Sequence, residues 1–136
     1  PWAIGGLSMG GWGALHLGMA HPEMFASIWA HSSKIDWATT GSDLSLLADP
    51  ADLDLRAQIT RARVAGSLPE LAFDCGVDDQ LIEENRALHE WLDDEGIDHH
   101  YAEHPGGHEW DYWDRHVREA LEQHARVLGV ERHRPA

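Results

Sequence analysis

Hydrophobic positions along the chain follow two different periods. Trp2-Ala3-Ile4-Gly5 is a short apolar run that enters the glycine-dense turn Gly5-Gly6-Leu7-Ser8-Met9-Gly10-Gly11, a strand-to-turn signal. From Met9 to about Met19, Trp12, Leu15 and Met19 recur at helical spacing, and Pro22 limits any continuation beyond His21. Gly10, Gly11, Gly13 and Gly18 each cost this helix roughly 1 kcal/mol of propensity relative to alanine, so it is expected to pack very closely on a sheet. Phe25 to His31 reads as a second buried strand, and Leu71 to Cys75, ending at Gly76, as a third.

A clear amphipathic helix follows. Leu81, Leu88, Trp91 and Leu92 form its apolar stripe, Glu83, Glu84, Glu90 and Asp93 lie mostly away from it, and Gly96 supplies the stop. Ile97 to Glu103 reads as a fourth, more polar strand. After Pro105-Gly106-Gly107, the stretch from Glu109 to about Leu128 places Trp110, Trp113, Val117, Leu121 and Leu128 on one helical face. Between residues 34 and 67, short leucine-bearing segments alternate with Asp, Gly and Pro, as a cap or insertion with one or two short helices would. Strands alternating with helices predict an α/β fold, mainly a parallel sheet with flanking helices.

Composition narrows the picture. At 136 residues the chain suits one domain or a piece of one. It lacks an initiator Met and begins as if at the end of a buried strand, so residues 1–136 are expected to form a partial domain with its N-terminal part missing. The formal net charge of −14, with Lys34 the single lysine, argues against nucleic-acid partners and anionic membrane surfaces. No apolar run approaches the roughly 20 residues of a membrane span. One cysteine, Cys75, excludes an intrachain disulfide and a multi-cysteine zinc site, and fits a cytoplasmic location.

The candidate chemistry centres on Gly6-Leu7-Ser8-Met9-Gly10, which matches the G-x-S-x-G nucleophile elbow in the strand–turn–helix context that motif requires. A serine hydroxyl is a poor nucleophile unless a histidine takes its proton and a carboxylate orients that histidine. The order Ser, then acid, then His is that of α/β-hydrolases. Asp79, with Asp78 as the competing carboxylate, follows the third strand, and His108 follows the fourth. Strand C-terminal ends share one edge of an open parallel sheet, so Ser8, Asp79 and His108 can converge there. The backbone N–H of Met9, at a helix N-terminus, is the candidate oxyanion donor.

Together, Gly6-Leu7-Ser8-Met9-Gly10-Gly11-Trp12-Gly13-Ala14, Asp74-Cys75-Gly76-Val77-Asp78-Asp79, Glu84-Asn85-Arg86 and Pro105-Gly106-Gly107-His108-Glu109-Trp110 resemble the esterase D group of esterases. S-formylglutathione hydrolases and tributyrin-type esterases belong to that group. The resemblance runs from Ile4 to about His116 and matches poorly over residues 34 to 67. It implies the C-terminal part of an α/β-hydrolase: a carboxylic or thioester hydrolase acting on a small-molecule ester or thioester without a cofactor, with Ser8 as nucleophile, Asp79 as acid and His108 as base. Family members carry roughly half their domain before the elbow, including the source of a second oxyanion donor. Acyl transfer to an alcohol and a non-catalytic binding fragment are the competing readings.

Other residues have plainer roles. Trp12 and Trp110, beside the elbow and beside His108, are candidate substrate-pocket walls, with Trp113 as core or wall and Trp37 as an acyl contact near the cap. His99, His100, His104 and His108 suggest metal binding, but His99 and His100 are consecutive on a strand and face opposite ways. No H-E-x-x-H motif is present. Surface or core roles, with no metal, are therefore expected. Cys75 in its buried strand is expected to be an inert thiol.

Overall fold

The computed structural model describes residues 1–35 and 54–130. The elements are β1 (Trp2–Leu7), α1 (Met9–Ala20), β2 (Phe25–His31), α2 (Leu55–Val64), β3 (Glu70–Gly76), α3 (Ile82–Asp94), β4 (His100–His104) and α4 (Trp110–Leu128). All four strands are parallel and lie in the order β1-β2-β3-β4. Three successive crossovers therefore step the same way, and right-handed connections place α1, α2 and α3 on one face of the sheet. The main core lies there, with Leu15, Ile59 and Leu88 packed on Ile28, Leu71 and Phe73. On the opposite face α4 covers Trp29 and Ala72 through Ala120. No helix among the described residues is long and apolar enough to cross a membrane.

Three sequence expectations change in detail. First, the close approach of α1 to the sheet rests on two of its four glycines. A Cβ on Gly18 would stand 2.3 Å from Ile28 Cδ1 and one on Gly11 2.9 Å from Ser33 Cβ, whereas Gly10 and Gly13 have nothing within 4 Å. Second, β4 begins at His100 rather than Ile97. Ile97 is taken up in closing α3: Gly96, at φ +66°, donates its N–H to Asp93 O at 3.0 Å, and Ile97 N–H donates to Leu92 O at 2.9 Å. This is a Schellman cap with its buried hydrophobic contact.

Third, the face of α4 that meets the sheet differs from the apolar stripe. Tyr112, Trp113, Ala120 and Gln123 are buried, while Trp110, Val117 and Leu121 are 73%, 43% and 61% exposed. The reason is the polar character of the sheet on this side. Ser27 and His31 of β2 and Asp74 of β3 are buried here and need partners. Gln123 Nε2 donates to Ser27 Oγ (3.0 Å) and Ile28 O (3.2 Å), and Tyr112 OH donates to Asp74 Oδ1 (2.6 Å).

Within the predicted excursion, α2 closes onto the main core through Leu55, Ile59 and Ala62. Its N-cap Asp54 accepts from Ala57 N–H at 3.1 Å. Trp37 lies outside the described residues.

Candidate active site

The C-terminal ends of β1, β3 and β4 bring three polar side chains together. Ser8 sits between β1 and α1 with φ 57° and ψ −120°, a backbone conformation that costs a non-glycine residue on the order of 1–3 kcal/mol. Its N–H donates to His31 O (2.9 Å), and its carbonyl accepts from Trp12 N–H (3.2 Å) and Lys34 N–H (3.4 Å), which holds the turn. The turn tolerates no side chain at Gly6, where a Cβ would lie 2.2 Å from Gly10 O. Ser8 Oγ is 2.9 Å from His108 Nε2, and His108 Nδ1 is 2.8 Å from Asp79 Oδ2.

Asp79 is 2% exposed and its other oxygen, Oδ1, accepts the N–H of Leu81 at 2.9 Å, so the carboxylate is held at both ends. Asp78 is exposed; its N–H donates to Gly106 O at 2.9 Å. That bond ties the Asp79 turn to the His108 loop. The two loops touch so closely that a Cβ on Gly76 would lie 2.3 Å from Gly106 O. Met9 opens α1, so its backbone amide is one of the first N–H groups that the helix itself leaves unpaired.

The aromatic candidates separate. Trp113, 8% exposed, stands edge-to-face with the His108 ring at 5.0 Å and donates its indole N–H to Ser32 Oγ at 3.0 Å. Trp110 packs edge-to-face on Trp113 at 5.1 Å and is otherwise exposed, so Trp113 is the indole that contacts His108. Trp12 is half-buried on α1, one turn from Ser8, with its ring 4.5 Å from that of His16.

Beneath the site lies a buried network that sequence reasoning missed. Asp74, fully buried on β3, receives Trp29 Nε1–H (2.7 Å) and Tyr112 OH (2.6 Å) and lies 2.6 Å from His31 Nδ1. Burial by itself pushes the Asp74 carboxyl up, but His31, Tyr112 and Trp29 outweigh it and hold the group below the usual carboxylate range. Burial pushes the Cys75 thiol far up, with Asp79 and Asp74 adding to the effect, which suits an unreactive side chain.

The run Glu84-Asn85-Arg86 gives three consecutive side chains three different fastenings. Glu84 receives Lys34 Nζ (2.9 Å) and the Ile35 N–H (2.6 Å). Asn85 Nδ2 donates to Ser33 O (2.9 Å) and Leu81 O (3.0 Å), and Arg86 grips both oxygens of Glu103 at 2.8 Å. They secure the start of α3, just past Asp79, to the chain leaving β2 and to β4. A groove of about 1010 Å³ lined by Trp29, Glu70, His100 and Arg126 lies at the other end of the sheet, and Ser8, Asp79 and His108 do not line it. Convergent polar groups, rather than this groove, define the candidate site.

A family model described as "Putative esterase" matches residues 1–124. The chain belongs to this esterase family. Among curated proteins the esterase chain is similar to an acetyl esterase of Caldicellulosiruptor saccharolyticus, 37% identical over 91% of this chain and 54% of that protein. Its fold is that of the fluorophosphonate-binding serine hydrolase FphF of Staphylococcus aureus (TM-score 0.77, 21% identity, 88% of this chain and 52% of that one). The S-formylglutathione hydrolase FrmB of the same organism is also similar (TM-score 0.73, 24% identity, 88% and 49%). The four-stranded parallel sheet with its flanking helices thus corresponds to part of an α/β-hydrolase. The chain spans about half the length of these relatives.

Proposed function

We propose that this esterase-family chain carries the catalytic residues of a serine carboxylesterase, with Ser8 as nucleophile, His108 as general base and Asp79 as its orienting carboxylate. The observation that carries the reading is the continuous relay from Ser8 Oγ through the His108 ring to Asp79, with contacts of 2.9 and 2.8 Å. Ser8 Oγ attacks the ester carbonyl carbon while its proton passes to His108 Nε2. Asp79 accepts the His108 Nδ1–H, which keeps Nε2 free as the acceptor and stabilises the imidazolium that forms. The Met9 N–H donates to the developing oxyanion. The imidazolium then protonates the departing alcohol, and water, deprotonated by His108, cleaves the acyl–Ser8 ester.

Similarity to the acetyl esterase supports a short acyl group on a small-molecule substrate. The test uses the full protein that contains this chain. A fluorophosphonate probe is expected to label it at Ser8, and Ser8→Ala is expected to abolish labelling and to lower hydrolysis of a nitrophenyl acetate by several orders of magnitude. Ser8→Ala activity within about tenfold of the parent overturns the assignment.

A further inference from the structure

We propose that His89, Asp93 and His99 form a binding site for a divalent transition-metal ion of the Zn²⁺ class, at the end of the sheet away from Ser8. The two histidines do not neighbour each other in sequence; the Schellman turn after α3 brings His99 back over the last turns of that helix. His99 Nε2 lies 2.7 Å from His89 Nδ1 and 3.7 Å from Asp93 Oδ1, and Asp93 Oδ2 lies 3.4 Å from His89 Nε2. Three donors bound to one tetrahedral zinc ion at its usual bond lengths stand about 3.3 Å apart. The spacing between His99 and its two partners brackets that value, and one ligand atom from each of the three side chains lies within 4.8 Å of the other two, so rotation of exposed side chains can bring all three onto one ion.

Tautomer and ring packing support the same reading. His99 Nδ1 lies 2.7 Å from the carbonyl oxygen of Ile97, and because a carbonyl only accepts, Nδ1 carries the proton. Nε2 of the neutral ring then presents its lone pair to the cluster, the arrangement typical of a metal-bound histidine. The hydrogen in the 2.7 Å contact with it belongs to His89 Nδ1; on metal binding the neutral ring changes tautomer, giving the Nδ1 proton to water and taking one at Nε2, 3.4 Å from Asp93 Oδ2, and the freed Nδ1 lone pair forms the metal–nitrogen bond. His99 stacks on Phe73 at 6.0 Å and His89 on Tyr101 at 4.5 Å, so both rings are walled in before any ion arrives. Asp93 is 61% exposed, which leaves a fourth position for water.

A second group, His104, His116 and Glu119, differs in one decisive respect. Its imidazoles stack face to face at 3.8 Å with a 9° interplanar angle, so their in-plane lone pairs do not converge on one point. The rings of His89 and His99 are inclined at 67° and their lone pairs can converge.

The experiment is titration of Zn²⁺ into the metal-stripped full protein, followed by calorimetry, with Co²⁺ as a spectroscopic probe. One saturable equivalent and the visible bands of tetrahedral Co²⁺ are expected. His89→Ala and Asp93→Asn, both at partly exposed positions that leave the core intact, are each expected to weaken Zn²⁺ binding by at least about tenfold and to remove the Co²⁺ bands. His116→Ala is expected to leave both readouts unchanged, and circular dichroism checks that each variant is folded. Retention of the equivalent and the bands in folded His89→Ala overturns the proposal, as does the absence of saturable binding in the parent.

Discussion

Ser8 shows why the candidate nucleophile was legible from residues alone: its turn leaves no room for a side chain at Gly6, where a Cβ would lie 2.2 Å from Gly10 O, and that demand is written into the G-x-S-x-G pattern. The choice of acid was harder to read, because Asp78 and Asp79 share one turn and differ only in where their side chains point. Burial of Asp79 and its contact with His108 Nδ1 lead to a test. Asp79→Asn is expected to lower kcat by about 10⁴-fold, since an amide stabilises the wrong imidazole tautomer. Asp78→Asn is expected to change kcat little; equal losses in steady-state assays of the two variants would remove Asp79 from its role. Farther out, hydrogen bonds from Arg86 and the Tyr101 hydroxyl hold the Glu103 carboxyl down at about 2 against an ordinary 4.5. The folded-state value is depressed, so this group's stabilisation is complete above about pH 4.5 and is lost as pH falls toward 2. Glu103→Gln is expected to flatten that part of the acid-unfolding curve measured by circular dichroism.

Elements were legible where hydrophobic period and fold agreed. β1, β2 and β3 are apolar runs bounded by turns, and α3 has one clean stripe. β4 starts late because Ile97 serves the cap of α3, a use of an apolar residue that looks like strand in a linear reading. The error on α4 has a similar physical origin. Its sheet-facing side pairs with buried polar groups, so the most apolar stripe was the wrong guide to what is buried. The Asp74 network and the three fastenings at the start of α3 were invisible for the same reason: they join polar residues that periodicity treats as surface. Asn85 is the most exposed to test, being completely buried and tying α3 to the chain after β2. Asn85→Ala leaves the Ser33 carbonyl without that donor, and a loss of about 1–3 kcal/mol is expected from urea unfolding of the full protein. No change in midpoint would show that the contact contributes nothing.

At the scale of the whole molecule, the described sheet ends at β1, whose outer edge has no partner strand among the described residues, and apolar side chains collect nearby and on α4. Trp2 is 64% exposed, Leu17 51%, Trp110 73% and Leu121 61%. An open parallel edge offers a row of unpaired backbone groups, and exposed apolar side chains on both layers add surface that favours association. The 136-residue chain expressed by itself is therefore expected to elute from size-exclusion chromatography as oligomers or aggregate, and Leu17→Glu combined with Leu121→Glu is expected to shift it toward monomer. Its esterase activity is expected to be far below that of the full protein for a separate reason. Ser8, His108 and Asp79 come together within the described residues, but in the proposed mechanism Met9 is the one oxyanion amide identified among those residues, and loss of one donor from such a site typically costs about 10²–10³ in kcat. Light scattering and a nitrophenyl acetate assay on the same preparation separate the two effects. If the monomeric double variant regains turnover equal to the full protein, association alone accounted for the deficit and one amide suffices at the oxyanion. If it stays 10²–10³-fold lower while monomeric and folded, association is not the cause and the deficit has the size expected of one absent oxyanion donor.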